Sequence, residues 1–121
     1  MGLFDLTDTV LQRGLEGASL RQQVLTNNLA NANTAGFKRS DVDFESSLNA
    51  ALSSSDPTHA AEDVSFEPQT DTTSAMTPDG NNVDVDQELS SLTENSVQYQ
   101  ALAAVERSRL QMLQTAMGGT P

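Results

Sequence analysis

Two stretches, one at each end of the chain, carry apolar residues on alternating steps of three and four, and this rhythm limits the fold more than any other feature. In the first, Phe4, Leu11, Leu15, Ala18, Leu25, Leu29 and Ala32 keep the rhythm, with Asp8 and Gln22 at the two missing steps. In the second, Val85, Leu89, Leu92, Tyr99, Ala103, Leu110, Leu113 and Met117 keep it, with Ser96 and Glu106 at the gaps. Such a stripe is the a/d pattern of a helix that packs along another helix. The spacing predicts one helix from about Thr7 to Ala32 and another from Val85 to Met117, roughly 39 and 50 Å long at 1.5 Å per residue. Leu102, Val105 and Met112 form a further stripe beside the second, which predicts a second neighbour for that helix, in another subunit.

Local signals fix some boundaries. Asp84 can cap the second helix, Gln87 stands at its third position, and Asp86 and Glu88 lie in its electropositive first turn. Gly118-Gly119 supplies a stop. Gly14 and Gly17 interrupt the first helix. Each costs about 1 kcal/mol relative to alanine, and they read either as a weakness or as a point of close backbone approach. In Asn33-Thr34-Ala35-Gly36-Phe37, Gly36 is free to take positive φ and end the helix, with Phe37 as a buried plug.

Charge divides the chain into three parts. The 121 residues carry a formal net charge of −11, yet residues 40–88 hold twelve of the seventeen acids and no base. This balance argues against nucleic acid or direct membrane insertion as partners. Hydrophobic residues make up 36% and aromatics 4%, a thin supply for a self-sufficient core, so stability shared with partner chains is expected. The chain therefore reads as residues 1–36, an N-terminal core helix and turn; 37–84, a connecting segment; and 85–121, a C-terminal core helix. Within the connector, Val42 and Phe44 alternate with acids, and Phe44, Leu48, Ala51 and Leu52 follow helical spacing. That predicts a short extended piece and a short helix, then an acidic Ser/Thr/Pro-rich loop over 53–80. The fold expected is mainly α, with the two long helices paired as an antiparallel coiled-coil-like hairpin. Running the chain up one helix and back along the other puts Leu29 beside Leu89, and Leu11 near Arg107 to Leu110.

No catalytic, cofactor or metal site is predicted. His59 is the sole histidine and there is no cysteine, so neither a zinc cluster nor a histidine-based triad can be assembled from familiar partners. Asp79 to Glu88 superficially looks like a calcium loop, but it lacks the required oxygen spacing and the central glycine; a turn followed by a capped helix fits better. The opening residues show neither a basic leader nor an apolar core, so a cleaved secretory signal is not expected.

The run Asn27, Asn28, Leu29, Ala30, Asn31, Ala32, Asn33 places four amides in seven residues. Amides do not titrate, so they are no acid–base device. Asn27 and Asn31 stand four apart beside the Leu25–Leu29 stripe, where a polar side chain can fix helix register. The whole motif from Asn27 to Lys38, set after a heptad helix, resembles the signature of the flagellar axial proteins, the rod and hook subunits of the bacterial flagellum. The continuation into Asp41-Val42-Asp43-Phe44, the stretch Gly80-Asn81-Asn82-Val83-Asp84, and the run from Asn95 through Tyr99 to Leu102 resemble a small rod member of the proximal rod. Many members place proline before the turn glycine, where this chain has Ala35, which implies a looser turn until packed.

The resemblance implies a structural subunit that polymerises through helix packing into a hollow drive shaft, which transmits torque and passes exported subunits. Its implied partners are itself, other rod subunits, a FliE-like adaptor, the inner-membrane MS ring and the flagellar type III export apparatus. It would sit in the periplasmic part of the basal body, exported without a cleaved signal peptide. Asn27, Asn28, Leu29, Asn31, Asn33, Gly36 and Phe37 are the expected assembly motif. Leu11, Leu15, Leu25, Leu29, Leu89, Leu92, Tyr99, Leu110 and Leu113 are expected to pair the helices within one chain, and Leu102, Val105 and Met112 to face another subunit. The other small rod subunit and a soluble helical-hairpin adaptor or secretion chaperone are the alternative readings.

Overall fold

The computed structural model describes residues 3–118, with side chains from residue 5 onward. Six elements follow in order: α1 (Leu3–Ala30), β1 (Ser40–Asp41), α2 (Phe44–Leu52), α3 (Pro57–Asp63), β2 (Gln69–Thr70) and α4 (Val85–Ala116). The two long helices are about 42 and 48 Å long at the standard rise. α1 begins four residues before the expected Thr7 and leaves helical geometry at Ala30 rather than Ala32. α4 starts at Val85, with the Asp84 carboxylate accepting from Gln87 N at 3.2 Å. At its other end Gly118 has φ +81°. The expected contribution of Gly119, and that of the Phe4 side chain, lie outside the described residues.

The long helices run antiparallel, and three contacts give the register. Asn28 meets Glu88, Ala18 and Gln22 flank Asn95, and Gly14 lies against Leu102. This register puts Leu11 level with about Val105, roughly half a turn earlier than the expected span from Arg107 to Leu110.

The composition of that seam corrects the expected one. Leu11 and Leu25 of α1 are buried, but the buried residues of α4 are Glu88 and Asn95. Leu89, Tyr99, Leu110 and Leu113, expected to pair the helices, are 43% to 52% exposed. Leu102, expected to face another subunit, instead packs on Gly14, while Val105 and Met112 are exposed. Leu15, Leu29 and Leu92 are half-buried. The physical reason is a rotation of α4 about its axis. Glu88, Asn95 and Leu102 stand seven apart, and a strong polar anchor at Glu88 turns this line inward at the expense of the leucine stripe.

The apolar core sits instead between α1 and the connector. Ala18, Val42, Phe44 and Leu48 form a buried cluster, with Val24, Val64 and Phe66 against it. Phe44 and Phe66 meet edge to face, 6.2 Å between centroids, the geometry favoured by the ring quadrupole. Gly17 makes this possible. A Cβ there would lie 2.5 Å from Phe44 Cβ, so only glycine admits the ring. Of the two readings of Gly14 and Gly17, close approach is the one the packing supports.

The connector is more ordered than a loop. α2 begins at Phe44 with Asp43 as its cap, accepting from Ser46 N at 3.1 Å. α3 replaces the first part of the loop expected over 53–80. Asp56 caps it and Pro57 opens it, a pairing in which proline loses no hydrogen bond because the first-turn N–H is unpartnered anyway. Ala61 is buried, and Arg13 of α1 donates to the Glu62 carbonyl. β1 and β2 form a two-residue antiparallel ladder, Ser40 opposite Thr70 and Asp41 opposite Gln69.

The Gly17–Phe44 contact yields a quantitative expectation. Gly17→Ala should destabilise the chain by about 1–3 kcal/mol, the cost of overpacking, despite the better helix propensity of alanine. In a Phe44→Ala background the ring atoms at 2.6 and 2.9 Å are gone but the Cβ at 2.5 Å remains, so the cost of the same change should fall without vanishing. Urea denaturation of the four proteins in this cycle measures the coupling; additive effects would contradict the contact.

Candidate assembly site

The turn after α1 is held by a polar knot that draws in all three parts of the chain. Its centre is Asn28, which is fully buried. Asn28 Nδ2 donates to the Ser40 carbonyl at 2.6 Å and to Glu88 Oε2 at 3.3 Å, and its Oδ1 accepts from Ser40 N at 3.0 Å. One amide therefore satisfies both backbone groups of Ser40 and reaches α4. Glu88 is 1% exposed and is paired with Arg39 through Arg39 Nε. A carboxylate this deeply buried is tolerable only with such a partner.

Two further amides close the knot from the far side. Asn81 Nδ2 donates to the carbonyls of Asn31 and Thr34, both at 2.8 Å, adding a second donor to carbonyls that already accept from Thr34 N and Phe37 N in the turn after α1. Asn82 Oδ1 accepts from Arg39 N at 2.7 Å, and its Nδ2 donates to the Asp71 carbonyl at 2.7 Å. Gly36, at φ +74°, donates its N–H to the Asp79 carbonyl at 2.8 Å. The stretch expected to be a turn before a capped helix is that, and its job is to grip the first turn. Among the described residues no group of carboxylates and histidine is placed to hold a metal ion.

Arg21, Asp41, Arg39 and Asp71 surround this centre. Arg21 reaches Asp41 through two nitrogens, at 2.8 and 3.3 Å, and Arg39 also reaches Asp71 at 3.4 Å. Desolvation pushes the Asp41 carboxyl up, but the hydrogen bonds from Arg21 and Val42 N, with the charges of Arg21 and Arg39, hold it below the ordinary carboxylate range. The Asp71 carboxyl lies far below that range because Ser74 and Thr73 donate to it.

The predicted motif residues divide around the knot. Asn28 lies at its centre. Asn27 and Asn31, expected to set register, instead bond each other: Asn31 Nδ2 donates to Asn27 O at 2.8 Å and to Asn27 Oδ1 at 3.3 Å, and Thr34 Oγ1 donates to Asn31 Oδ1 at 3.1 Å. They cap the end of α1 locally, while register belongs to Asn28 one residue along. Asn33 is exposed and Leu29 half-buried. Phe37, expected as a buried plug, is half-buried and contributes through its backbone, its N–H to Thr34 O and its carbonyl to Asn82 N. Sequence reasoning did not single out Arg39, Asn81, Asn82 or Glu88 for this role. His59 stands apart on α3, exposed, 3.2 Å from Asp63.

Residues 9–38, which contain α1 from its second turn and most of the gripped turn, match the family described as Flagella basal body rod protein. Over nearly its full length the chain is similar to the flagellar basal body rod protein FlgB of Bacillus subtilis (strain 168), 32% identical across 98% of both chains. The chain belongs to the FlgB family. It is also similar to FlgB of Borreliella burgdorferi, 32% identical over 88% of this chain and 91% of that one, and to FlgB of Escherichia coli (strain K12), 31% identical over 93% and 99%. The FlgB family is structural, a component of the flagellar basal body rod, and not an enzyme family. No helix among the described residues is long and apolar enough to cross a membrane.

Two outcomes follow from the knot. Arg39→Met, which strands the buried Glu88 carboxylate, should cost about 3–5 kcal/mol, against about 1–3 kcal/mol for Asn28→Ala, both by urea denaturation. Acid should loosen the same region. Asp41 and Asp71 have depressed folded-state pKa values, so their contribution is complete above the ordinary aspartate value near 3.9 and is lost as pH falls through the folded values. Hydrogen exchange of residues 36–42 should accelerate, relative to intrinsic rates, below about pH 4.

Proposed function

We propose that the chain is a proximal-rod subunit of the flagellar basal body, which polymerises through its α4 face. The observation that carries this reading is the leucine stripe left uncovered by the inward turn of Glu88: Val85, Leu89, Tyr99, Leu110, Leu113 and Met117, with Val105 and Met112 beside it, are all exposed. An apolar line of this length on one helix is costly in water and suits burial against a neighbouring helix. In the assembled rod the long helices pack with neighbours in coiled-coil fashion, so residues 1–36 and 85–121 act as the core and residues 37–84 as its brace. The motif from Asn27 to Phe37 sets the shape of the turn that each neighbour meets. The polymer is a hollow shaft that transmits torque and passes later subunits. The neighbours are further copies, other rod subunits, a FliE-like adaptor and the MS ring, at a periplasmic station reached through the type III export apparatus without a cleaved leader.

Substituting the stripe tests the reading. Leu110→Asp with Leu113→Asp should leave helix content unchanged by circular dichroism and export unchanged by immunoblot, yet abolish rod assembly and swimming. Normal rods built from this variant would refute the assignment of the α4 face. Gly36→Val, which forces a β-branched residue into positive φ, should also stop assembly, whereas Ser54→Ala at the surface of the connector should not.

A further inference from the structure

Two of the polar gaps in the apolar stripes meet at one place. Gln22 interrupts the stripe of α1 and Ser96 that of α4. Both line an open cleft of about 260 Å³ between the two helices, beside the exposed Tyr99. Asn95 lines the same cleft and is fully buried. Its Nδ2 donates to Ala18 O at 2.8 Å and to Gln22 Oε1 at 2.9 Å. A backbone carbonyl can only accept, which fixes the orientation of the Asn95 amide. The Asn95 Oδ1 on its other side is buried and receives no hydrogen bond among the described residues. Such an unpaired acceptor is destabilising, and nearly all buried polar groups in folded proteins find a partner.

The lining selects the chemistry of the missing donor. Ser19, Gln22, Ser96, Tyr99 and Gln100 carry no charge, so a lysine or arginine entering here would shed its water without meeting a counter-charge. A neutral donor avoids that cost. The cleft is several times the volume of one water, about 30 Å³, and has room for a side-chain amide. Charge also indicates what brings it. Residues 40–88 hold twelve acids and no base, whereas residues 1–39 hold three acids and four bases and residues 89–121 two of each. Copies of this chain therefore repel through their connectors and can meet through α1 and α4, where the cleft lies. The same flank supplies the donor it lacks, since Gln23, Asn27 and Gln100 are exposed amides on it.

We propose that this cleft seats a side-chain amide of a second copy of the chain, which donates to Asn95 Oδ1 and fixes the register between neighbouring subunits. This contact rests on the α4 face being the assembly face and adds a point of selection to it. Oδ1 is closed to water, so the neighbour reaches it as the cleft wall yields to packing. In the single chain the empty acceptor only destabilises. In the polymer it discriminates, because an apolar or misplaced residue opposite it leaves it unpaired.

Asn95→Leu separates the two states. It removes the unpaired oxygen, so the isolated chain should keep or raise its urea midpoint. Rod-bearing basal bodies, counted by electron microscopy, should fall about tenfold at unchanged export, the scale of one lost hydrogen bond. In parallel, a benzophenone amino acid at Gln100, in assembled rods, should cross-link two copies, with its far end on α1 or α4 of the second. Normal rods from a stable Asn95→Leu chain would overturn the contact. So would cross-links that reach only another protein or the connector, or none at all. Those results leave the α4 face standing provided Leu110→Asp with Leu113→Asp still blocks assembly; if that variant builds rods, the face is wrong and the cleft contact falls with it. If Asn95→Leu lowers the urea midpoint, the cross-link decides alone.

Discussion

The buried Glu88 carboxylate determines much of the rest of the structure. It is held by Arg39 and by Asn28, and those two residues belong to the turn and to α1. Once Glu88 points inward, Asn95 and Leu102 follow at intervals of seven, and the leucine stripe of the same helix must point elsewhere. A buried ion pair adds little net stability compared with apolar residues of the same volume, because desolvation offsets the attraction. What it does supply is discrimination: sliding either helix by one turn strands a charge. The seam is accordingly specific in register and modest in strength, a combination suited to a subunit that completes its burial elsewhere.

The sequence made the two long helices, their antiparallel relation and the start of α4 readable, because those rest on local signals, namely period, cap and charge at the first turn. It misled on which face of α4 turns inward. Periodicity reports which residues share a face, and an apolar stripe is ordinarily the buried one. Here the inward face is chosen by Arg39 and Asn28, distant in sequence from Glu88, and such pairing leaves no mark on the local pattern. The spacing of Glu88, Asn95 and Leu102 was the available clue. The amide cluster was recognised as a register device but displaced by one residue, since Asn27 and Asn31 look alike on a helical wheel and only the position of Ser40 selects Asn28.

The connector shows the same division. Asp41-Val42-Asp43-Phe44 could be quoted as a motif, and the structure assigns each residue its work: Asp41 pairs with Arg21, Val42 is buried, Asp43 caps α2 and Phe44 fills the space over Gly17. α3 is hidden because seven residues with one buried alanine carry too little period to detect. Its stability is borrowed from α1, as is that of the two-residue ladder, so composition alone reads both as loop.

Gly14 and Gly17 lie three residues apart, on neighbouring sides of one turn of α1. Leu102 presses into the first from α4 and Phe44 into the second from α2. Two knobs seated in the same turn act as a cotter pin. α1 cannot translate along its axis without lifting both, so an axial or torsional load on either long helix reaches α2 as displacement of the whole brace, with little taken up as slip. Stiffness of this kind costs two side chains that are never made, and it is set by the backbone-to-ring distance and not by the number of apolar contacts.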